Sequence, residues 1–110
     1  MTYVLKMIDA NVFKALGDPT RLQIFEKLTA GAMNATALRE GMGISQPAMS
    51  QHLAVLREVK LIRQEKLGRF VQYEVNPEGL IIVLEWLAKY RAYWPERISD
   101  LEELLKDMDE

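Results

Sequence analysis

The stretch ISQPAMSQHLAVLREVKLI, residues 44–62, decides the fold. Ser45 is a good N-cap, because its hydroxyl can accept from backbone N–H groups that have no partner in the first helical turn. The proline two residues later falls in that turn, where a missing N–H costs nothing. Met49, Leu53 and Leu56 follow at helical spacing. The stretch therefore predicts a helix with one buried apolar stripe.

The opposite face of this helix carries short, uncharged side chains that can both donate and accept hydrogen bonds. A solvated helix face usually carries Lys and Glu instead, so this face is suited to close approach by another molecule. Gln can bond bidentately to adenine N6 and N7, and Ser can bond phosphates or base edges. The candidate DNA-reading residues are Ser45, Gln46, Ser50 and Gln51.

Three further polar residues are interpreted separately. His52 is the only histidine and lies beside the apolar stripe, so a half-buried, satisfied side chain and a DNA contact stay open. A metal role is not expected for it, because no second His and no Cys is available. Arg57 opens the basic run after the stripe and is a candidate DNA contact. For Arg21 we expect a structural ion-pair or capping role, with a backbone phosphate contact as the alternative.

Helical periodicity also precedes the opening stretch. A first helix is predicted over about residues 5–16, and a second from the Asp18 cap to about Ala30. A short third helix then leads through a glycine-containing turn into the opening stretch. Two helices joined in this way form the helix-turn-helix pattern, here about residues 34–59. The inward residues of the second helix are predicted to be Leu22, Ile24, Phe25 and Leu28.

A β-hairpin is predicted where the sequence continues IRQEKLGRFVQYEVN. Apolar and polar residues alternate from Val71 to Val75, which is the period of a half-buried strand. The preceding residues can pair with that strand across a turn at Leu67-Gly68-Arg69, where Gly68 supplies a positive φ. The hairpin, about residues 61–75, has a basic tip in which Lys66 and Arg69 are candidate phosphate or minor-groove contacts. A merely solvated charged hairpin is the alternative.

The last helical region, about residues 78–108, carries apolar residues at alternating spacings of four and three. This heptad has one polar interruption, Arg91, and is more than a single small core needs, so it predicts dimerisation together with residues 5–16. Pro95 removes a backbone hydrogen bond, which predicts either a kink or two helices meeting near it. The candidate dimerisation residues are Leu5, Ile8, Val12, Leu80, Leu84, Leu87, Trp94, Ile98 and Leu101.

An aromatic cluster lies in the same region, at Trp86, Tyr90, Tyr93 and Trp94. Packing in the core and between subunits is the default interpretation of such residues. The alternative is a pocket between two subunits for a small apolar inducer, whose identity and existence the sequence leaves open.

Composition narrows the class of function. The 110 residues suit one domain, and 49% are apolar. The net charge of −2 is the sum of a net charge of +3 over residues 1–94 and one of −5 over residues 95–110. The basic charge is therefore local, as expected of a nucleic-acid-binding surface. The absence of cysteine excludes disulfides and thiolate metal sites. We find no catalytic motif, no signal peptide and no membrane span, and therefore expect a cytoplasmic protein that is not an enzyme.

Four stretches together closely resemble the ArsR family of bacterial and archaeal winged-helix repressors: ALGDPTRLQIFEKL, ISQPAMSQHLAVLREVKLI, LGRFVQYEVNPEG and WLAKYRAYWPERISDLEELL. The resemblance covers roughly residues 10–105. It implies a mainly α winged helix-turn-helix domain with a small β-hairpin wing, homodimeric through its first and last helices. It also implies repression from a partly palindromic operator in double-stranded DNA. By this resemblance, residues 45–52 fall on the recognition helix and residues 66–69 on the wing.

The sequence departs from the metal sensors of that family. Their soft-metal sensors carry paired cysteines on the third helix, where this chain reads GAMNATAL. Their zinc and nickel sensors place His and acidic ligands on the last helix, where this chain offers Glu78 and Glu85 and no histidine. We therefore expect no metal, no cofactor and a metal-independent repressor. The alternative function is a winged-helix protein–protein adaptor without specific DNA binding.

Overall fold

The structure, a computed structural model, describes residues 10–93 and 95–108, with the side chains of 91–99 left out of the description. The fold is the predicted one, a mainly α winged helix-turn-helix with a two-stranded antiparallel wing. Helix α1 is described over residues 10–16. The later elements are α2 (Pro19–Leu28), α3 (Ala35–Arg39), α4 (Gln46–Glu58), β1 (Ile62–Leu67), β2 (Phe70–Val75), α5 (Pro77–Tyr93) and α6 (Pro95–Met108).

The helix starts follow the predicted caps. The Asp18 carboxylate accepts from the backbone N–H of Arg21 at 3.0 Å, and the Ser45 hydroxyl accepts from the backbone N–H of Ala48 at 3.2 Å. One prediction for α2 was wrong, because Leu22 is 40% exposed. Leu22 lies about 160° around the helix from the buried Ile24, on the side of α2 that the core does not cover.

The core is formed by α1 to α4 and the start of β1. The predicted stripe of α4, Met49, Leu53 and Leu56, lies at its centre and is buried. Buried side chains from the other elements surround the stripe. They are Val12, Ala15, Ile24, Phe25, Leu28, Leu38, Leu61 and Ile62.

The wing is a regular hairpin closed by a two-residue turn. Leu67 pairs with Phe70, so the connection is Gly68-Arg69, one residue shorter than the predicted turn. Gly68 has φ of 64° and Arg69 does not have a positive φ, which matches a type II′ turn. At the wing base, Tyr73 and Met33 exchange two backbone hydrogen bonds, of 2.7 and 3.0 Å, which attach β2 to the loop before α3.

The end of α4 is held against the start of α5. Lys60 has φ of 63°, and the N–H groups of Lys60 and Leu61 donate to the carbonyls of Arg57 and Leu56, which is a Schellman motif. A lysine in this conformation costs roughly 1–2 kcal/mol compared with glycine. The Lys60 carbonyl in turn accepts from the N–H of Gly79 at 2.8 Å. The orientation of α4 is therefore coupled to α5 through backbone contacts.

The last helical region is described as α5 and α6, and Trp94 between them lies outside the described residues, so the choice between one kinked helix and two helices stays a prediction. On α5, Leu80, Ile82 and Val83 pack against the core. Other apolar residues are exposed: Ile81, Leu84 and Leu87 on α5, and Leu101, Leu104, Leu105 and Met108 on α6. None of the helices within the described ranges is long and apolar enough to cross a membrane.

Candidate nucleic-acid interface

The outward face of α4 presents the predicted reading residues. Gln46, Ser50 and Gln51 are exposed, and with Arg57 they fall within an arc of about 140° on the helix. Ser45, the N-cap of α4, is also exposed, but its hydroxyl oxygen accepts the capping hydrogen bond from Ala48. The arc is rotated away from the buried stripe, so a duplex could approach it without disturbing the core.

His52 lies to one side of this arc and contacts another element. Its side chain is 23% exposed, and its Nδ1 lies 3.9 Å from the Asp18 carboxylate at the start of α2. The pKa of Asp18 is lowered chiefly because the Arg21 backbone N–H donates to the carboxylate, with smaller contributions from the charges of Arg21 and His52. His52 is therefore half-buried beside Asp18, and a contact with DNA stays a prediction.

Arg21 occupies the capping role expected for it. Its Nε donates to the carbonyl of Ala15 at 2.8 Å and its Nη2 to that of Lys14 at 3.3 Å. These are carbonyls in the last turn of α1, where a cation is favourable. Arg21 thus joins the end of α1 to the start of α2.

The wing presents the predicted basic tip. Lys66 and Arg69 are exposed, and Arg69 is the second residue of the turn. The segment 66–73 contains two basic residues and no carboxylate. Farther from the tip, Glu74 forms an ion pair with Arg63, directly across the hairpin, at 2.7 Å.

Sequence reasoning missed two apolar residues at the wing tip. Phe70 is 70% exposed and Leu67 is 47% exposed, and the two are paired directly across the hairpin. The exposure of Phe70 could have been predicted from the sequence, because side chains alternate between the two faces of a strand. Since Val71, Tyr73 and Val75 were predicted to face inward, Phe70 had to face outward.

The predicted dimerisation residues separate into three groups. Leu84, Leu87 and Leu101 are at least half exposed, and Leu80 is half-buried and packs against the core. Val12 was wrongly predicted to belong to a surface stripe, because it is fully buried in the core and so has no surface to offer. Leu5, Ile8 and Trp94 lie outside the described residues, as does the side chain of Ile98.

The aromatic cluster joins α5 to α1. Trp86 packs edge-on against Phe13 with ring centroids 5.1 Å apart, and the ring centroid of Tyr90 lies 4.7 Å from that of Trp86. A separate open groove of about 810 Å³ lies between α1, the end of α4 and the start of α5, with both apolar and charged lining. Within the described ranges, no three His, Asp or Glu side chains converge as a metal site would require.

These features define a class of protein. A helix-turn-helix with an exposed polar recognition face, followed by a hairpin with a basic tip, is the architecture of a winged-helix DNA-binding protein. A family model described as a helix-turn-helix domain matches residues 16–65.

Comparison with known proteins identifies the family. The transcriptional repressor SdpR of Bacillus subtilis is 36% identical over 80 residues, covering 73% of this chain and 89% of SdpR. The arsenical resistance operon repressor of Escherichia coli is 36% identical over 84 residues, covering 76% of this chain and 68% of the repressor. An ArsR-like transcriptional regulator from Rhodococcus sp. RHA1 superposes with a TM-score of 0.72 at 27% identity, covering 90% of this chain and 93% of that structure. The chain belongs to the ArsR family, and it is a DNA-binding transcriptional repressor.

Proposed function

We propose that the protein binds an inverted-repeat operator as a homodimer, with one α4 in the major groove of each half-site. The observation that carries the proposal is the exposed polar arc of α4 beside a wing with a basic tip. Base readout is assigned to Gln46, Ser50 and Gln51, because their side chains can match base edges in the major groove. Ser45 is assigned a capping role with a backbone phosphate contact.

The wing is assigned to the DNA backbone and the minor groove. Lys66 and Arg69 are exposed, and they outnumber the one carboxylate beside them, Glu65. Arg57, exposed at the end of α4, is assigned a phosphate contact on the same side. These contacts set orientation and affinity, whereas α4 sets the sequence preference.

Dimerisation is assigned to the outer face of α5 together with α6. Leu84 is 63% exposed, and Leu87 follows it at helical spacing on the same side of α5. Clustered apolar side chains of this kind mark an interaction site more often than scattered single ones do. A second copy would cover them and would present a second α4 in twofold symmetry, as an inverted repeat requires.

The test begins with selection of the operator from a random-sequence duplex library. We expect an inverted repeat whose half-sites are separated by about 10–10.5 base pairs or a multiple of that distance. Fluorescence anisotropy then compares the selected duplex with a scrambled one. Gln51→Ala should lose roughly 1–3 kcal/mol on the selected duplex and almost nothing on the scrambled one.

The matched control is Gln23→Ala, which removes an exposed glutamine from α2, away from the arc. It should leave both affinities unchanged. If Gln51→Ala keeps full discrimination, the assignment of the reading face is wrong. If no duplex is enriched at all, the adaptor alternative replaces operator binding.

A further inference from the structure

The tip of the wing combines two exposed apolar side chains with two cations. Leu67 and Phe70 flank the two-residue turn from opposite strands, and Arg69 lies in the turn itself. Lys66 is the neighbour of Leu67 and is also exposed, but it points to the opposite face of the hairpin, whereas Glu65 shares the face of the apolar pair. Phe70 adds nothing to the described core, so its ring is available for contact with another molecule.

The geometry of the hairpin holds this pair in place. Leu67 and Phe70 are directly paired residues next to a tight turn, so their side chains lie on one face of the sheet. The opposite face carries Tyr73 and Val75, which pack against the core and fix the orientation of the wing. The apolar pair is therefore presented outward by a supported hairpin.

The surrounding charge decides which molecule fits this surface. Over residues 65–73 the tip carries Lys66 and Arg69 against Glu65, a net charge of +1, and Arg69 lies in the turn beside the apolar pair, so the tip is complementary to a polyanion. A second wing tip would bring like net charge together, which disfavours a contact between copies of the chain here. The tip also continues the surface assigned to DNA, since only residues 59–61 separate α4 from β1.

We propose that Phe70 and Leu67 pack against the deoxyribose walls of the minor groove while Arg69 lies within it. The inference rests on the wing contact in the proposed function and adds an apolar component to it. Apolar side chains also take part in binding by other minor-groove proteins. Exclusion of water by the pair would also strengthen the neighbouring interaction of Arg69 with phosphate.

The experiment measures affinity for the selected operator over a range of salt concentrations. Phe70→Ser should weaken binding about tenfold, because burial of an aromatic ring is abolished. The slope of log K against log salt should not change, because an apolar side chain releases no counterion when it binds. Arg69→Ala should instead reduce the slope by about 0.9 for each phosphate that is no longer neutralised, counted twice in a dimer.

Two further variants complete the design. Phe70→Leu keeps an apolar side chain and should retain most of the affinity. Leu22→Ser removes a side chain that is also exposed, on α2, and should have no effect on binding. Thermal unfolding and sedimentation of each variant establish that folding and assembly are unchanged.

The outcomes separate the two proposals. If Arg69→Ala lowers the slope and Phe70→Ser leaves the affinity unchanged, the apolar component is refuted and the wing contact stands. If Arg69→Ala leaves the slope unchanged, the wing contact of the proposed function is refuted. If Phe70→Ser instead alters the sedimentation of the free protein, the pair belongs to an interface between copies, and the inference is overturned.

Discussion

Two parts of the chain differ in how far their apolar side chains are buried. The first part runs from α1 to the wing base, and the second consists of α5 and α6. In the first part, Ile24, Leu38 and Leu56 are completely buried within one protomer. In the second, Leu84, Leu105 and Met108 are all more than half exposed. The first part has a complete core, whereas the second presents an apolar surface that lacks a cover within the described protomer.

The difference arises from the positions of the two helices relative to the core. Only the first turns of α5 pack on the core, through Leu80, Ile82 and Val83, and the apolar residues farther along it extend beyond the core. On α6, the exposed Leu101, Leu104, Leu105 and Met108 follow the i, i+3, i+4, i+7 spacing of an amphipathic helix. A helix of this kind is stabilised mainly by packing of its apolar face. The first part can therefore be tested as a protomer, and the second as an interface.

The largest effect is expected from a charge on the outer face of α5. Leu87→Glu would bury an unpaired carboxylate in the proposed interface, and a charge without a partner there is strongly unfavourable. We expect conversion from a dimer to a monomer at micromolar concentration, together with failure to bind the operator. The protomer should stay folded, because Leu87 is exposed within it. Sedimentation and circular dichroism measure these two outcomes.

The matched control is Lys89→Glu on the same helix. Lys89 is exposed and lies about 160° around α5 from Leu87, so a glutamate there should leave the dimer intact. A stable wild-type monomer, or a dimer that survives Leu87→Glu, would show that the exposed apolar face does not mediate assembly.

An intermediate effect is expected where the two parts meet. A Cβ on Gly79 would lie 2.7 Å from the Lys60 carbonyl oxygen and 2.9 Å from the Leu61 side chain. Since the carbonyl belongs to the Schellman motif at the end of α4, it has little freedom to move. Gly79→Ala should therefore lower the free energy of unfolding by about 1–3 kcal/mol, although Ala favours a helix over Gly by about 1 kcal/mol.

Chemical denaturation of Gly79→Ala and of Glu78→Ala measures this effect. Glu78 is the adjacent exposed residue of α5, and its truncation leaves the backbone hydrogen bond from Gly79 to Lys60 in place. Glu78→Ala should change the free energy of unfolding much less. A stabilised Gly79→Ala protein would mean that α5 can shift away from α4 at no cost.

The smallest effect is expected at the Asp18 cap in the first part. Asp18→Ala should lower Tm by roughly a few degrees, because the Arg21 N–H loses its acceptor. The pKa of Asp18 is lowered below its ordinary value of 3.8, so the stabilisation is present above that pH and is lost as pH falls through the lower folded pKa. The Tm difference from wild type should therefore shrink in acid.

Asp18→Asn separates the cap from the charge. Asn is as good an N-cap as Asp, so this variant should unfold close to wild type at neutral pH. Its Tm should also lack the acid dependence that the carboxylate causes. If Asp18→Asn is as unstable as Asp18→Ala at neutral pH, then the charge interactions with Arg21 and His52, and not the cap, stabilise this turn.

Much of the fold follows from local interactions that can be predicted from the sequence. Ser45 and Asp18 cap helices because their side chains satisfy backbone N–H groups only three residues away. Gly68 closes the hairpin because the turn requires a positive φ, and the stripe from Met49 to Leu56 is buried because it repeats at helical spacing. Each of these features depends on a few neighbouring residues.

The tertiary structure alone decided which helix faces meet. Val12 and Leu22 are both apolar residues on amphipathic helices, yet Val12 is buried in the core and Leu22 faces solvent. Periodicity defines an apolar face only to within a broad arc, and the packing angle of the neighbouring helices selects the part that is covered. The same holds for His52, which reaches Asp18 only because α4 packs beside the start of α2. Local chemistry thus determined the elements of this repressor, and the docking of those elements determined which side chains remain exposed and available to DNA.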